Sequence, residues 1–383
     1  MKTKKVHHQP SWRMATHEVE AWLSVVGGQL GPVTFNLKGR KVQPYSVAPW
    51  AGEKTAPEMP PMLKVLRGDF FCMPFGGNQE IFQEEKHPPH GETANRRWKL
   101  ESYQENQKYV SLHASLKTSV RRGLVDKRIY LNRGQHAIYS RHIISGMKGP
   151  MNLGHHAMLK FPSHYGSGRI STSQIIFGQV APEMFEFPEQ GGYSWLQPGA
   201  VFDSLEHVPT LTGQSADLSH FPARRGFEDL VMLVNDPRED FAWTAVAFPA
   251  EGFVWFALKD PRILRQTILW ISNGGRHYPP WNGRHVEVMG LEEVTSYFHY
   301  GLARSAQPNS ISRKGFPTCL NFSSGRTVVI NYIMAVEAIP KGFDRVASIH
   351  PGRRGTVELV SDSGKKVVVP IDLGFLGNPN GQI

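Results

Sequence analysis

The sequence has little cysteine and no long hydrophobic run. Its two cysteines, Cys72 and Cys319, lack the paired C-x-x-C spacing of thiolate zinc sites, although one bridge between them stays open. No run of about 18 apolar residues is present, so the sequence predicts no membrane-spanning helix and no membrane partner. The basic residues at positions 1–5 are followed by polar residues rather than by an apolar segment. We therefore expect no signal peptide, and we predict a cytoplasmic location.

Charge of one sign is not concentrated in any segment. The 43 lysines and arginines exceed the 33 aspartates and glutamates, which gives a net charge of +10. The basic pairs are spread along the whole chain and acidic residues lie between them. Nucleic-acid-binding proteins usually collect their basic residues in one patch or arm, so we predict no nucleic-acid partner. The excess fits a solvated basic surface, with an anionic substrate such as a sugar phosphate as the alternative.

Strong helical periodicity is also scarce, whereas short alternating segments are common. The 37 glycines and 28 prolines divide the chain into pieces of strand length. Strand patterns occur at 33–37, 109–116, 136–144, 157–161, 242–248, 252–258, 327–333, 356–360 and 366–369. Many short strands separated by turn signals predict an all-β fold, a large antiparallel β-supersandwich with few short helices. The two best helix candidates are 227–234 and 291–306.

No change in composition, internal repeat or clear linker divides the chain. Strand-like segments continue to the C-terminus. We therefore predict a single domain over residues 1–383, in which residues 1–20 form an irregular N-terminal extension.

The densest group of candidate binding residues lies at 276–285, and it runs on to Glu292 and Glu293. Guanidinium, imidazole and aromatic groups are common in sugar-binding sites, and loops often carry such residues. Trp281 follows two prolines and precedes Asn-Gly, so we predict that it lies on a loop and offers its ring to a sugar. Arg276 is a further candidate contact. For Glu293, a solvated position in the first turn of a helix is the simpler interpretation.

Two histidine segments lie earlier in the chain. Arg67 precedes a proline-stiffened loop that carries His90, and the prolines argue against a helix there. The adjacent residues His155 and His156 lie at the start of a predicted strand. Their side chains should point to opposite faces, so only one of them can face a given site.

An acidic pair, Glu228 and Asp229, follows a glycine near the start of the predicted helix at 227–234. Acidic residues at such positions are commonly helix caps. The alternative is that they contact a ligand.

Taken in order, these segments resemble the galactose mutarotase superfamily, which contains the aldose 1-epimerases and the hexose-phosphate mutarotases. The similar motifs are Val-Gly-Gly-Gln-Leu at 26–30, the arginine segment at 67–76, His-Gly at 90–91 with Trp98, Pro-x-Asn-x-x-x-His at 150–156, Gly-Phe-Glu at 226–228 and Leu-Glu at 291–292. The fold of that superfamily is a β-supersandwich, in agreement with the strand pattern.

The resemblance implies an isomerase that interconverts the anomers of a sugar or sugar phosphate and needs neither cofactor nor metal. It assigns Glu292 as the base and His156 as the acid. The substrate contacts that we expect from the resemblance and from the loop at 276–285 are Arg67, His90, His155, Glu228, Asp229, Trp281 and Arg276. Arginine suits phosphate, so Arg67, Arg96 and Arg97 bear on whether the substrate is phosphorylated. The oligomeric state is not predicted.

Two other functions stay open. The segment after the His-Gly motif and the loop at 276–285 depart from the superfamily pattern, which favours a carbohydrate-binding protein that has kept the scaffold without turnover. A metal enzyme would use histidines, for which His87, His90, His155 and His277 are the candidates, although their spacing is poor for a metal site.

Overall fold

The computed structural model describes residues 1–377 and consists mainly of antiparallel β-strands. Strands take 47% of it and helices 6%, which confirms the predicted all-β class. The helices are α1 (Pro61–Lys64), α2 (Gly91–Asn95), α3 (Leu302–Ala306) and α4 (Gly374–Gly377), with 3-10 turns at Pro188–Gln190 and Ser312–Lys314. None of the helices in this part of the chain is long and apolar enough to cross a membrane.

Three large or medium sheets carry most of the strands. The N-terminal sheet contains, in this order, β1 (Lys4–Val6), β2 (Gln9–Ala15), β3 (Val19–Ser24), β4 (Leu30–Leu37) and β5 (Arg40–Val42). The nine-stranded sheet contains β7 (Lys99–Glu105), β8 (Tyr109–Thr118), β9 (Gly123–Asn132), β10 (Ala137–Ser145), β14 (Gly168–Thr172), β19 (His220–Phe221), β21 (Ala242–Phe248), β22 (Phe253–Lys259) and β26 (Val328–Ala338). The eight-stranded sheet contains β6 (Phe71–Cys72), β12 (Leu153–His155), β13 (Ala157–Lys160), β15 (Ile175–Val180), β16 (Val201–Phe202), β20 (Phe227–Asn235), β23 (Gln266–Asn273) and β24 (Val288–Thr295).

Three small sheets complete the set for residues 1–377. They are β11 (Gly149–Met151) with β25 (Leu320–Phe322), β17 (Val208–Pro209) with β18 (Ser215–Ala216), and the group β27 (Val346–Pro351), β28 (Thr356–Ser361) and β29 (Lys366–Pro370). The nine-stranded sheet has the order β19-β14-β21-β22-β26-β10-β9-β8-β7. The eight-stranded sheet has the order β16-β15-β20-β23-β24-β12-β6, with β13 paired beside β24.

The two largest sheets pack face to face around the main core. Leu269 and Leu291 of the eight-stranded sheet belong to the same buried cluster as Val246 and Trp255 of the nine-stranded sheet. The opposite face of the nine-stranded sheet is covered by the sheet β27–β29, in a second cluster. The opposite face of the eight-stranded sheet is covered by loops and α1, in a third cluster. That face is therefore the one on which polar side chains and a ligand site can lie beneath loops.

The strand predictions agree closely with the structure, and both helix predictions are wrong. The predicted hairpin is β21 and β22, with Phe248 opposite Phe253 in register. The helix predicted at 227–234 is β20, and the helix predicted at 291–306 is the second half of β24 followed by a loop and the short α3. Nearly every residue of β20 and β24 is buried, because both faces of their sheet are covered. A strand buried on both sides does not alternate, and its apolar run resembles a helix.

The prediction that residues 1–20 are irregular is wrong. They form β1, β2 and the start of β3, and Trp12 and Met14 contribute to the main core. β1 has only 3 residues and β2 has 7, so the alternation of apolar and polar residues is too short to predict this strand pair from the sequence. The single domain over residues 1–383 stays a prediction, and residues 378–383 lie outside the described part of the chain.

Candidate functional site

The loop-covered face of the eight-stranded sheet contains a cavity of about 340 Å³. This size falls in the lower part of the range of small-molecule sites, roughly 300–1,000 Å³. Three adjacent strands form its floor, because β20 contributes Leu230, β23 contributes Trp270 and β24 contributes Glu292. Loops supply the remaining walls. The polar and aromatic lining residues include His90, His156, Arg276, Tyr278, Trp281 and His299.

Glu292 points into the cavity because of strand alternation. Successive side chains of β24 point to opposite faces of the sheet. Every second one faces the cavity, and those between them face the interior of the sandwich. Glu293 therefore points away from the cavity, where it pairs with Lys259 and accepts hydrogen bonds from Thr244 (2.5 Å) and Thr267 (2.7 Å). Both glutamates are buried, so the interpretation of Glu293 as a solvated carboxylate in a first helical turn is wrong.

His156 reaches the same cavity from the other side of β24. It lies between β12 and β13, and its backbone N–H donates to the carbonyl oxygen of Phe70 at 2.9 Å. Its ring stacks on the ring of Phe70, with centroids 4.6 Å apart. His155 points the opposite way, with Nδ1 2.9 Å from Asp69 Oδ2 and its ring 4.2 Å from that of Tyr332. The prediction that the two histidines face opposite sides is confirmed.

The two residues that the resemblance assigned to acid and base meet on the cavity wall. His156 Nε2 lies 3.1 Å from Glu292 Oε1. Burial disfavours the charged form of each group, so it lowers the pKa of His156 well below 6.5 and raises the pKa of Glu292 well above 4.5. The distance alone would fit an ion pair, but both shifts favour the neutral forms. We therefore assign the uncharged forms of both groups to this resting contact.

Two further histidines line the cavity, and both are uncharged. Burial lowers the pKa of His90 to about 4. Burial, with the charge of Arg276 as a second cause, lowers the pKa of His299 to about 3. The ring of His90 lies 5.1 Å from that of His156, and the ring of His299 packs on Phe185 at 5.0 Å. Neutral imidazoles offer both a donor and an acceptor, which suits sugar hydroxyl groups.

The part of the wall next to His156 is aromatic, because the ring of Trp270 lies 5.7 Å from that of His156. The rings of Trp270 and Trp281 are 5.9 Å apart and nearly perpendicular. Trp281 also packs edge-on against Trp50 at 4.7 Å, and it is only 6% exposed. The buried ring of His285 stacks parallel to Trp270 at 5.5 Å. Trp281 therefore lines the cavity from within a rigid aromatic cluster rather than from an open loop.

Glu228 lies behind this wall instead of lining the cavity. It accepts hydrogen bonds from Trp270 Nε1 at 3.1 Å and from Ser272 Oγ at 2.8 Å. Burial raises its pKa to about 8, although Arg276 acts in the opposite direction. The side chain is thus part of the support of the Trp270 ring. The interpretation of Glu228 as a helix cap is wrong, because the residue lies in β20.

Besides Glu228, three other residues predicted as substrate contacts do not line the cavity. The guanidinium of Arg67 is fully buried and donates to the backbone carbonyls of Val65, Val6 and His7, so it is occupied by the main chain. Asp229 points to the other face of β20, where its carboxylate accepts from the backbone N–H groups of 195 and 196. His155 faces Asp69, as described above. We correct these three assignments, because strand alternation and burial turn each side chain away from the site.

Arg96 and Arg97, the other two arginines considered for phosphate recognition, do not line the cavity either. Arg96 pairs with Glu92 at 2.7 Å, and Arg97 is exposed and forms an isolated β-bridge with Val26. Arg276 is the arginine that lines the cavity.

Several cavity residues were missed or misjudged from the sequence. His299 lies in the segment predicted as a helix, which concealed its position in the loop after β24. Trp270 belongs to a buried apolar cluster and also lines the cavity. Finding these residues requires knowing which of them lie near Glu292 once the strands are paired. That register is not visible in one sequence.

The histidines considered for a metal site do not converge. His87 Nε2 lies 2.9 Å from Glu85 Oε2. His277 is exposed, and its ring packs edge-on against that of Tyr193. Across residues 1–377, no group of three or more His, Cys, Asp or Glu residues is placed to hold a metal ion. Cys72 and Cys319 are free thiols, so the bridge that the sequence left open is not formed.

Comparison with known proteins identifies the fold. No family model matches the sequence, and no curated protein sequence matches it. Among solved structures, it is similar to a galactose mutarotase-like protein of Clostridium acetobutylicum, with a TM-score of 0.57 and 11% identity over 88% of this chain and 98% of that one. It is also similar to one of Lactobacillus casei, with a TM-score of 0.54 and 10% identity over 85% and 100%. It is also similar to a protein of Escherichia coli K12 that is provisionally assigned as an aldose 1-epimerase. That structure has a TM-score of 0.56 and 14% identity over 86% of this chain and 99% of that one.

The likeness covers 85–88% of this chain and 98–100% of each of these structures, so it extends over most of the chain rather than a fragment. The resemblance that the ordered motifs indicated is confirmed at the level of the fold. The chain has the fold of the galactose mutarotase-like superfamily.

Proposed function

We propose that the protein is an isomerase that interconverts the anomers of an aldose by opening and closing its ring. The observation that carries the proposal is the contact of Glu292 with His156 on the wall of an aromatic, sugar-sized cavity. A carboxylate and an imidazole are the pair that can exchange protons with a sugar near neutral pH. The similar proteins described as mutarotase-like or as an aldose 1-epimerase support the same reaction class.

The chemistry follows from one proton shared by the pair. Transfer of the Glu292 proton to His156 Nε2 produces a carboxylate and an imidazolium without changing the net charge of the site. The carboxylate then accepts the proton of the anomeric hydroxyl, whose oxygen becomes the carbonyl oxygen of the aldehyde. The bond between the anomeric carbon and the ring oxygen breaks, and the ring oxygen takes the proton from His156. Rotation of the aldehyde and reversal of these transfers closes the ring on the other face.

The neighbouring groups support this sequence of transfers. His90 and His299 offer neutral imidazoles to the ring hydroxyls, and Trp270 and Trp281 provide apolar surface for the C–H groups of the sugar. No step uses a cofactor.

The experiment is anomer exchange of pure aldose anomers followed by NMR, with Glu292→Gln and His156→Asn as the test variants. We expect each to reduce the rate by about 10²–10⁴-fold, which is the usual contribution of one general acid or base. Glu287→Gln is the matched control, because Glu287 pairs with Lys160 outside the cavity, and it should retain full activity. Undiminished exchange in Glu292→Gln would contradict the proposal. Sugar binding by the wild-type protein without any acceleration would support a carbohydrate-binding protein instead.

A further inference from the structure

One cluster on the cavity wall has no role in the proton transfers. Arg276 follows β23 and lines the cavity, and its Nε donates to Glu186 Oε1 at 2.6 Å. The guanidinium carbon lies 4.6 Å from the ring centre of Trp281 and 5.2 Å from that of Phe185. A cation held between aromatic faces keeps a defined position, because both the rings and the carboxylate attract it.

Glu186 is itself held from behind. The hydroxyl of Tyr278 donates to its Oε2 at 3.0 Å, and burial raises the pKa of that phenol to about 12, so it remains a donor. Gly192 leaves the necessary space, because a Cβ there would lie 2.4 Å from Glu186 Oε2. Glu186 is buried and does not line the cavity. Its contact with Arg276 is therefore a built support rather than a surface ion pair.

Nε is the only nitrogen of the Arg276 guanidinium with a hydrogen bond to an acceptor within residues 1–377. The two terminal nitrogens lie on a fork of fixed geometry at the cavity wall. Such a fork can donate to two neighbouring oxygens of one ligand.

The charge of this guanidinium is already compensated. Glu186 pairs with it directly, with Arg276 Nε 2.6 Å from Glu186 Oε1. The cavity histidines are uncharged, as is the pair of Glu292 with His156. An anionic ligand would lose its hydration on entering this cavity and would meet no uncompensated positive charge. Two hydroxyl groups of a neutral ring lose less hydration and can still accept both hydrogen bonds.

We infer that Arg276, held by Glu186, is the specificity-determining residue of the cavity. It donates to two adjacent hydroxyls of an uncharged pyranose, and the carboxylate paired with it makes the site reject hexuronates and sugar phosphates. This inference rests on the proposed function, which it deepens by naming the substrate class. It leaves Glu292 and His156 as the groups that move protons.

The first test uses the wild-type protein with neutral aldohexoses, the corresponding hexuronates and the 6-phosphates. Calorimetry and anomer exchange should both show a preference of about tenfold or more for the neutral sugars, which corresponds to roughly 1.4 kcal/mol. Equal or tighter binding of a hexuronate or a 6-phosphate overturns the inference and requires no variant to be interpreted.

The second test removes the negative charge of Glu186, which compensates the positive charge of Arg276. Glu186→Gln keeps an acceptor for Arg276 Nε but removes the charge, so binding of hexuronates relative to neutral sugars should rise by about tenfold. Arg276→Gln should weaken neutral sugars, raising KM more than it lowers kcat, without any gain for hexuronates. The matched control is Glu53→Gln, because Glu53 pairs with Arg284 of the same loop outside this cavity, and the ratio should stay unchanged.

The outcomes separate the two proposals. An unchanged preference in Glu186→Gln, with anomer exchange still abolished by Glu292→Gln, overturns the specificity role alone. A wild-type protein without anomer exchange overturns the proposed function, while calorimetry on the same ligands still decides the role of Arg276.

Discussion

The carboxylate of Glu292 occupies space that Gly290 leaves open. A Cβ built on Gly290 would lie 2.6 Å from Glu292 Oε1 and 3.1 Å from the side chain of Trp270. Gly290 and Glu292 belong to β24 and lie two positions apart, so they face the same cavity. The absence of a side chain at position 290 therefore determines where the proposed base can lie.

Gly290→Ala should consequently reduce anomer exchange strongly while the protein remains folded. The new methyl group forces the Glu292 carboxylate or the Trp270 ring to move, and displacement of about 1 Å can cost 10²-fold in rate. The measurement is anomer exchange by NMR, with circular dichroism to confirm the fold. Gly77→Ala is the control, since Gly77 also lines the cavity and its Cβ would meet nothing closer than 3.6 Å. Equal activities of the two variants would contradict this role of Gly290.

The pH profile of kcat/KM should show no limb at the ordinary pKa values of histidine and glutamate, 6.5 and 4.5. The active pair holds one proton. Adding a second proton is resisted because burial lowers the pKa of His156, and removing the first is resisted because burial raises the pKa of Glu292. The acid limb therefore lies well below 6.5 and the alkaline limb well above 4.5. The rate should be measured after subtraction of the uncatalysed exchange at each pH. A limb centred near pH 6.5 would show that His156 titrates as an exposed histidine.

Glu228 should make the wild-type protein less stable as the pH rises. Its folded-state pKa of about 8 exceeds the ordinary value of 4.5, so its contribution is fully present below pH 4.5 and is lost as the pH rises towards 8. The difference corresponds to about 4–5 kcal/mol of unfolding free energy. Glu228→Gln cannot titrate and should lose this dependence, which denaturant unfolding at several pH values can measure.

The exposed pair of Glu358 with Lys366 provides a control, because Glu358→Gln should leave the slope unchanged. Identical slopes for the wild type and Glu228→Gln would mean that Glu228 is ionised in the folded protein.

Arg67 should matter for stability rather than for substrate binding. Arg67→Met leaves three backbone carbonyl oxygens without their donor, which should cost about 3 kcal/mol or more and loosen the hairpin β1–β2. Thermal unfolding and hydrogen exchange of residues 1–15 report this effect. KM should change by less than about twofold, since Arg67 does not reach the cavity.

Arg13→Met is the control in the same hairpin. Arg13 forms an exposed ion pair with Glu20, which contributes at most about 1 kcal/mol. A large rise in KM for Arg67→Met, at unchanged stability, would restore Arg67 as a substrate contact.

Much of the fold was accessible from the sequence because most strands have one covered and one less covered face. Alternation located β8 and β10 within two residues, and the turn at 249–251 located the hairpin of β21 and β22, although these two strands are buried on both faces. It failed for β20 and β24, which are buried on both faces and carry apolar runs interrupted by acidic residues. Those acidic residues looked like helix caps because nothing local distinguishes a cap from a buried carboxylate in a central strand.

The candidate site was accessible only in part. The ordered motifs pointed to Glu292, His156 and His90, which all line one cavity. They also pointed to Arg67 and His155, whose side chains are engaged elsewhere. A motif locates a residue along the chain, whereas the direction of its side chain depends on register and burial.

By itself, the sequence determined the class of the fold, the positions of most strands and which titratable side chains are available as candidates for proton exchange. These follow from local properties: turn residues, alternation and side-chain chemistry. Only the tertiary structure decided which of those residues face the same cavity and which charges compensate each other. Glu292 meets His156, and Arg276 meets Glu186, across 136 and 90 positions of the chain. Contacts over such separations arise from sheet register and loop packing, which no local pattern encodes.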